Sequence, residues 1–393
     1  MADDISSPSS PSLKSRLVDI RRQIHARPEL AFQEHLTSDL VAETLASAGI
    51  EVHRGLAGTG VVGTLKNGDG PSIGLRADMD ALPITEADDP GYKSTHDGVM
   101  HACGHDGHTA MLLGAAFSLA ESKDFEGTVH FIFQPAEENE GGGRQMVEDG
   151  LFRLFSCDAI FALHNWPGLA AGRIAVQPGP MMASYDTFEL NISGKGGHAA
   201  MPEDTVDPMP ISAELILALQ TLVSRKVSPH EAAVVSVTSI HGGDAFNIIP
   251  EAISLRGCVR TYNQSVRDQL RDEIHRLTAQ ITAAHGGKAV VDYHTRYPST
   301  INTPEEAGFA AQTAAELVGD THVDTAFRPS MASEDFAVML EHVPGAYIWL
   351  GNGETSAPLH NPHYDFNDDV LMTGVGLLSA LARNFCKNMV SAS

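Results

Sequence analysis

Apolar positions alternate between helical and strand spacing along the first half of the chain. Leu13, Leu17, Ile20 and Ile24 recur at helical spacing, and the pattern stops before Pro28, whose preceding residue avoids the helical region. Leu36, Leu40, Val41 and Leu45 predict a second helix that Gly49 ends. Short β-type runs follow at 61–65 and 73–76. Met111, Leu112, Ala115, Ala116 and Leu119 line one side of a helix over 108–119. A strand over 128–133, a helix near 145–149 and a strand over 159–163 come next. Strands alternating with helices predict an α/β fold whose central, mostly parallel sheet is covered on both faces.

The pattern changes after Met182. Residues 187–192 alternate as a half-buried strand, 211–223 form a strong helix, and 234–240 and 253–259 read as strands. A long helix over 266–284 and a strand over 289–293 complete the order β-α-β-β-α-β, that of a ferredoxin-like sandwich. Residues 184–298 are therefore expected to be an inserted α+β domain. The helices at 304–317 and 370–385 and the strand at 346–350 return to the first, discontinuous domain of 1–183 and 299–393.

Charge narrows the partners. Among 393 residues, 26 Lys and Arg stand against 50 Asp and Glu, a formal charge of −24. Nucleic acid and anionic membrane surfaces repel such a polyanion, so neither is expected as a partner. An anionic substrate would need local positive charge at its site. Residues 1–12 are polar, with Asp3 and Asp4, and lack the basic and apolar regions of a secretory signal. The Ser/Pro-rich stretch at 7–12 is expected to be a loose tail. No apolar run approaches the ~20 residues of a membrane span. Cys103, Cys157, Cys258 and Cys386 have no secreted-scaffold spacing. A reduced, cytoplasmic protein is the expectation.

The densest chemical signal is His101-Ala-Cys103-Gly-His105-Asp106-Gly-His108. Gly104 and Gly107 suggest a turn into a helix, and Cys103 and His105, two apart, can share a side of an extended segment. Thiolate and imidazole suit divalent transition metals. Asp78 and Asp80 follow one apolar strand, and Glu137 and Glu138 follow another. Open α/β sheets place their sites just past such strand ends. An acidic pair alone is usually a solvated loop, but the strand ahead of each changes the reading. Adjacent Glu137 and Glu138 suggest that one binds metal while the other moves protons. His164 follows the apolar strand at 160–163, and His360 lies in a loop near the C-terminus. There is no CxxC pair, no P-loop lysine after the glycines at 141–143, and no Gly-x-Ser-x-Gly elbow.

These segments together resemble the hippurate hydrolase and indole-acetyl-amino-acid hydrolase group, within the aminoacylase, carboxypeptidase and dipeptidase superfamily of dinuclear-metal enzymes. The matching pieces include His25-Ala-Arg-Pro28-Glu-Leu, Arg76-Ala-Asp78-Met-Asp80, Met100-His-Ala-Cys103-Gly-His105-Asp-Gly-His-Thr109, Gln134-Pro-Ala-Glu137-Glu138, Gly194-Lys-Gly-Gly-His198, Asn247-Ile-Ile-Pro250, Ser333-Glu-Asp335-Phe336 and Leu359-His360-Asn-Pro362. They span nearly the whole chain in the same order. The resemblance implies two divalent ions per chain (Zn, Mn, Co or Ni) held by Cys103, His105, Glu138, His164 and His360, with the thiolate bridging. It further implies Glu137 as general base, Asp80 as the residue orienting a metal-site histidine, and His198 as a stabiliser of the tetrahedral intermediate. The inserted domain would be a lid that pairs two chains into a homodimer or dimer of dimers and supplies His198, Asn247 and Arg260. Arg260 would hold the substrate carboxylate, which answers the repulsion set by the net charge. The implied reaction is hydrolysis of the amide bond of an N-acyl amino acid. A dipeptidase or carboxypeptidase on the same site, and a non-enzymatic metal-binding scaffold, are the alternatives; a scaffold has no need of Glu137 beside a ligand.

Overall fold

The computed structural model describes residues 12–138 and 140–392, with side chains to Lys387. Of the tail expected at 7–12, residues 7–11 lie outside the described residues, and Ser12 belongs to the fold. Ser12 itself accepts the Ser15 N–H and caps the first helix, Leu13–His25. The chain divides into two compact units.

The first unit comprises Met1–Gly179, Ile301–Arg328 and Val338–Ser393. Its eight-stranded sheet runs in the order Glu51–Leu56, Gly60–Asn67, Gly127–Gln134, Ser72–Asp78, Ala159–Pro167, Gly345–Gly353, Ile174–Ala175 and Val323–Asp324. The four middle strands are mutually parallel, and the two at the Glu51 edge are antiparallel. Those middle strands are almost wholly buried, because helices cover both faces of a parallel sheet; their sequences are mainly apolar, with buried polar residues such as Arg76, Asp78, Gln134 and His164 towards their carboxyl ends. Leu75, for example, sits in register between Phe131 and Phe161. The helix His105–Ser122 packs against this sheet and is buried nearly all round. A helix so enclosed is apolar on every side, so it carries little amphipathic signature.

The second unit comprises Pro180–Thr300 and Pro329–Ala337, so it also takes a short return segment beyond the range read from the hydrophobic pattern. Strand Tyr185–Ser193, helix Pro208–Lys226, strands Ala233–His241 and Ala252–Thr261, helix Gln264–Ala284 and strand Lys288–Tyr297 follow in that order. The sheet order, with Ala252–Thr261 and Tyr185–Ser193 in the middle, and fully antiparallel pairing make it ferredoxin-like. Phe188, Leu190 and Ile192 from the sheet and Leu215, Leu219, Leu270 and Ile274 from the helices form its core. All four cysteines are free thiols. Among the described residues, no helix is long and apolar enough to cross a membrane.

Candidate metal centre

The carboxyl ends of the parallel strands of the first unit carry the chemistry. Asp78 ends the strand Ser72–Asp78, Glu137 and Glu138 follow Gly127–Gln134, and His164 lies within Ala159–Pro167. Cys103 and His105 reach the same place by a turn and not from an extended segment, because Gly104 sits in the left-handed region at φ 92° and His105 opens the helix. Only glycine fits there. A Cβ on Gly104 would lie 2.2 Å from Asn165 Nδ2.

Each imidazole is aimed by the bond its other nitrogen makes. His105 Nδ1 donates to the Asp80 carbonyl at 2.8 Å, with Asp80 Oδ1 at 3.3 Å. Its Nε2 is buried and has no hydrogen-bond partner. His164 Nδ1 donates to the Asn165 carbonyl at 2.6 Å, which leaves Nε2 3.5 Å from the Cys103 sulfur. Asp80 Oδ2 accepts the Glu138 N–H at 2.9 Å, so one carboxylate sets both a histidine and the backbone of a glutamate. His360 Nε2 lies 3.1 Å from Glu138 Oε1, on a loop where His360 is itself left-handed at φ 62° and tied by its N–H to the Ala102 carbonyl at 2.8 Å. Ligand atoms of Cys103, Glu138 and His360 lie within 4.8 Å of one another, as do those of His105, Glu137 and Glu138.

Asp78, His105, His108 and His164 also converge within that distance, but His108 has both nitrogens in use. Its Nδ1 donates to Asp78 Oδ1 at 2.6 Å, and its Nε2 accepts the Asn165 N–H at 2.9 Å. Asp78 in turn accepts from Arg76 at 2.8 Å. Asp78, His108 and Asn165 therefore form the supporting layer that fixes ligand orientation. Hydrophobic patterning did not separate this layer from the ligands. His105 and His108 look alike in local spacing, and the family resemblance alone set them apart; in the structure both nitrogens of His108 are already bonded.

The electrostatics suit a cation. Burial pushes the Cys103 thiol well above its ordinary value, and Glu138, Glu137 and Asp78 add to the effect. Burial and the neighbouring His108 hold His164 well below the usual imidazole range, hence neutral. Burial opposes charge on His105, but Asp78, then Asp80 and Glu138, carry it up to about 10. A pocket that draws a proton onto one imidazole through surrounding carboxylates is a pocket that favours a divalent cation. Thiolate, imidazole and carboxylate together fit Zn, Mn, Co or Ni.

Glu34, which carried no signal in the sequence, shapes the glutamate loop. It is fully buried. Its Oε1 accepts the N–H of Ala136 at 2.9 Å and of Phe32 at 3.0 Å, and its Oε2 accepts the Thr59 hydroxyl at 2.6 Å. Ala136, directly before Glu137, stands at φ 54°, a conformation that costs an L-residue energy unless its surroundings enforce it. Burial pushes the Glu34 carboxyl up to about 7, with the Thr59 hydrogen bond opposing.

Behind the helix start lies a buried ionic network. His25 bridges Asp106 at 2.8 Å and Glu86 at 3.2 Å, and Arg21 reaches Asp106 at 3.3 Å. Burial opposes charge on His25, but the Asp106 and Glu86 hydrogen bonds raise it to about 9. A folded value above the ordinary 6.5 stabilises the fold fully below pH 6.5 and loses that contribution as pH rises through 9. The loss is on the order of 3 kcal/mol. The melting temperature of the metal-free protein is thus expected to fall between pH 6.5 and 9, and His25→Gln should flatten that fall. A wild-type profile level across this range would remove His25 as its cause.

In the second unit, His198 and Asn247 lie side by side. His198 pairs with Ile248, and the Asn247 carbonyl accepts the Ala199 N–H at 3.0 Å. Both are exposed. The Arg260 guanidinium stacks 4.5 Å over the Tyr185 ring and donates to the Met331 carbonyl at 3.1 Å, which fixes its orientation.

A parallel sheet with thiolate, imidazole and carboxylate donors at its strand ends defines a metal-dependent hydrolase. The sequence matches the profile of Peptidase family M20/M25/M40 over residues 74–384, and the chain belongs to that family. It is 42% identical over 376 residues to the hippurate hydrolase of Campylobacter jejuni, covering 95% of this chain and 98% of that protein. It is 40% identical to the N-acetyl-L-cysteine deacetylase of Bacillus subtilis over 92% of this chain and 86% of that one. The crystal structure of a Bacillus subtilis dinuclear metal-binding peptidase of the M20 family superposes with a TM-score of 0.84 at 34% identity, covering 95% and 98% of the two chains.

Proposed function

We propose that the protein hydrolyses the amide bond of N-acyl amino acids of the hippurate or N-acetyl-amino-acid type, releasing a carboxylic acid and a free amino acid. The observation that carries this reading is the convergence of Cys103, Glu138 and His360, and of His105, Glu137 and Glu138, within 4.8 Å at one strand end. The hippurate hydrolase and deacetylase relatives support the substrate class. Cys103, His105, Glu138, His164 and His360 would hold two divalent ions. When bound, such a pair polarises the amide carbonyl and lowers the pKa of water. Glu137, buried beside His105 and Glu138 and assigned the base in this reading, takes a proton from water and returns it to the leaving nitrogen. Asp80 keeps the His105 tautomer fixed while this happens. His198 and Asn247 would contribute from the second unit, acting as a lid through which two chains pair. Arg260 would hold the substrate carboxylate. The charge of −24 argues against nucleic acid and anionic membranes as partners, and a cytoplasmic setting fits the free cysteines.

The peptidase description of the Bacillus subtilis neighbour favours one second reading, a dipeptidase or carboxypeptidase. A substrate panel separates them. Acetyl-Met and hippurate should be cleaved, with activity lost to a chelator and restored by Zn, Mn, Co or Ni. The corresponding amino-acid amides, lacking the carboxylate, should be poorer by ~10-fold or more. Cleavage of dipeptides with a free α-amino group, and of no N-acyl amino acid, would assign the peptidase reading. Equal turnover of acids and amides would leave Arg260 a structural residue.

A further inference from the structure

Beside the metal centre the first unit holds a mostly apolar cleft of about 390 Å³, lined by Leu30, Ala31, Phe32, Ala81, Leu82 and Pro83 together with the carboxylates Glu138 and Glu140. We propose that this cleft receives the acyl group of the substrate and sets which acyl groups the enzyme accepts. The inference rests on the N-acyl-amino-acid reading above.

The cleft is built, not incidental. Phe32 is a large aromatic left 38% exposed, and its backbone is held left-handed at φ 60°. Exposure removes most of the packing reason for a phenyl ring, and the conformation carries a strain that the surroundings must enforce. The enforcing group is Glu34, whose Oε1 accepts the Phe32 N–H and the Ala136 N–H together. The same buried oxygen thus registers the wall of the cleft against the loop that carries Glu137. The opposite wall is fixed as firmly. Ala81 donates to the Glu29 carbonyl at 2.8 Å, and Leu82 exchanges both backbone bonds with Met100 at 3.0 Å. That wall begins one residue after Asp80, so both walls are extensions of segments that orient the site.

Chemistry assigns the occupant. The carbonyl to be attacked belongs to the acyl half, so the group attached to it lies against residues contiguous with the metal ligands. The amino-acid half leaves on nitrogen and carries the carboxylate, for which an apolar wall edged by Glu138 is a poor neighbour. A rigid apolar slot suits an aryl or medium aliphatic acyl group, since preorganised walls spend little ordering entropy on binding.

The test measures kcat/KM for acetyl, hexanoyl and benzoyl derivatives of one amino acid in the wild type, Phe32→Gly and Ala31→Trp. Glycine adopts a positive φ without strain, so Phe32→Gly removes the ring while keeping the backbone; Ala31→Trp adds bulk to the cleft from the neighbouring position on the same segment. The benzoyl-to-acetyl ratio is expected to fall about 10-fold in both, the scale of a lost or blocked apolar contact. The ratio between two amino acids carrying the same acetyl group is expected to change less than about 2-fold. A shift in the amino-acid ratio, or an unchanged acyl ratio in both variants, overturns the assignment. If the wild type cleaves only dipeptides, the N-acyl reading fails on its own, and the cleft is then read from the side chain of the N-terminal residue, Phe-X against Gly-X, with the same expected fall and the same overturning result.

Discussion

Glu137→Gln is expected to lower kcat by ~10² or more while metal content and KM stay near those of the wild type. The amide keeps the volume and one acceptor of the carboxylate but cannot take a proton from water. Glu138→Gln should behave in the opposite way. Glu138 Oε1 faces His360 and His105, and its backbone is pinned by Asp80, so the neutral side chain loses a charged donor without moving. Its metal affinity should fall, and excess metal should restore much of its activity. Kinetics and metal analysis on the two purified variants decide the matter, because adjacent glutamates share a loop and differ only in what each faces. If excess metal rescues Glu137→Gln and fails to rescue Glu138→Gln, the two roles are exchanged.

The second large effect concerns His198. It sits among Gly194, Gly196 and Gly197 in the second unit, exposed, laddered to Ile248 and with its Nδ1 accepting the Ala200 N–H at 3.1 Å, which leaves Nε2 facing outward. We infer that it serves the site of the partner chain. Chains carrying His198→Ala and chains carrying Glu137→Ala should each be inactive alone. In a mixed dimer, one site then joins an intact Glu137 from the first chain to an intact His198 from the second, while the other site lacks both. Co-expression should therefore restore activity at one working site per mixed dimer, from a background near zero. If His198 serves its own chain, every site in the mixed dimer lacks one group. Mixed dimers shown to form yet remaining inactive would reject sharing.

Much of this molecule was legible in its sequence for identifiable reasons. Helix Leu13–His25 and the β-α-β-β-α-β order of the second unit follow from spacing that one buried face imposes. The strand-end placement of Asp78 and Glu137 follows from apolar strands interrupted by chemistry, whereas His164, expected just past its strand, lies inside Ala159–Pro167 because the strand runs on through Asn165 and Trp166. The strand Glu51–Leu56 was not legible, because it is an exposed antiparallel edge with a mostly polar sequence. The turn at Gly104 defeated the alternation argument for Cys103 and His105: both do face one place, but through a left-handed residue. Glu34 gave no local signal at all. Its meaning lies in accepting hydrogen bonds from residues 32, 59 and 136, and such long-range pairing is written in the fold alone. Spacing alone did not separate His105 from His108; the family resemblance did, and the structure adds the physical reason, Asp78 and Asn165 closing both nitrogens of His108.

The central claim is that Cys103, His105, Glu138, His164 and His360 together hold two divalent ions that power amide hydrolysis. Anomalous diffraction from crystals of the protein reconstituted with Mn or Zn tests it most directly, by locating each ion and its donor atoms. Two peaks per chain are expected, one sharing the Cys103 sulfur with the other, and Cys103→Ala should lose at least one of them with the fold intact. A single peak per chain in the fully loaded, active wild type, or two peaks away from these five side chains, would contradict the account.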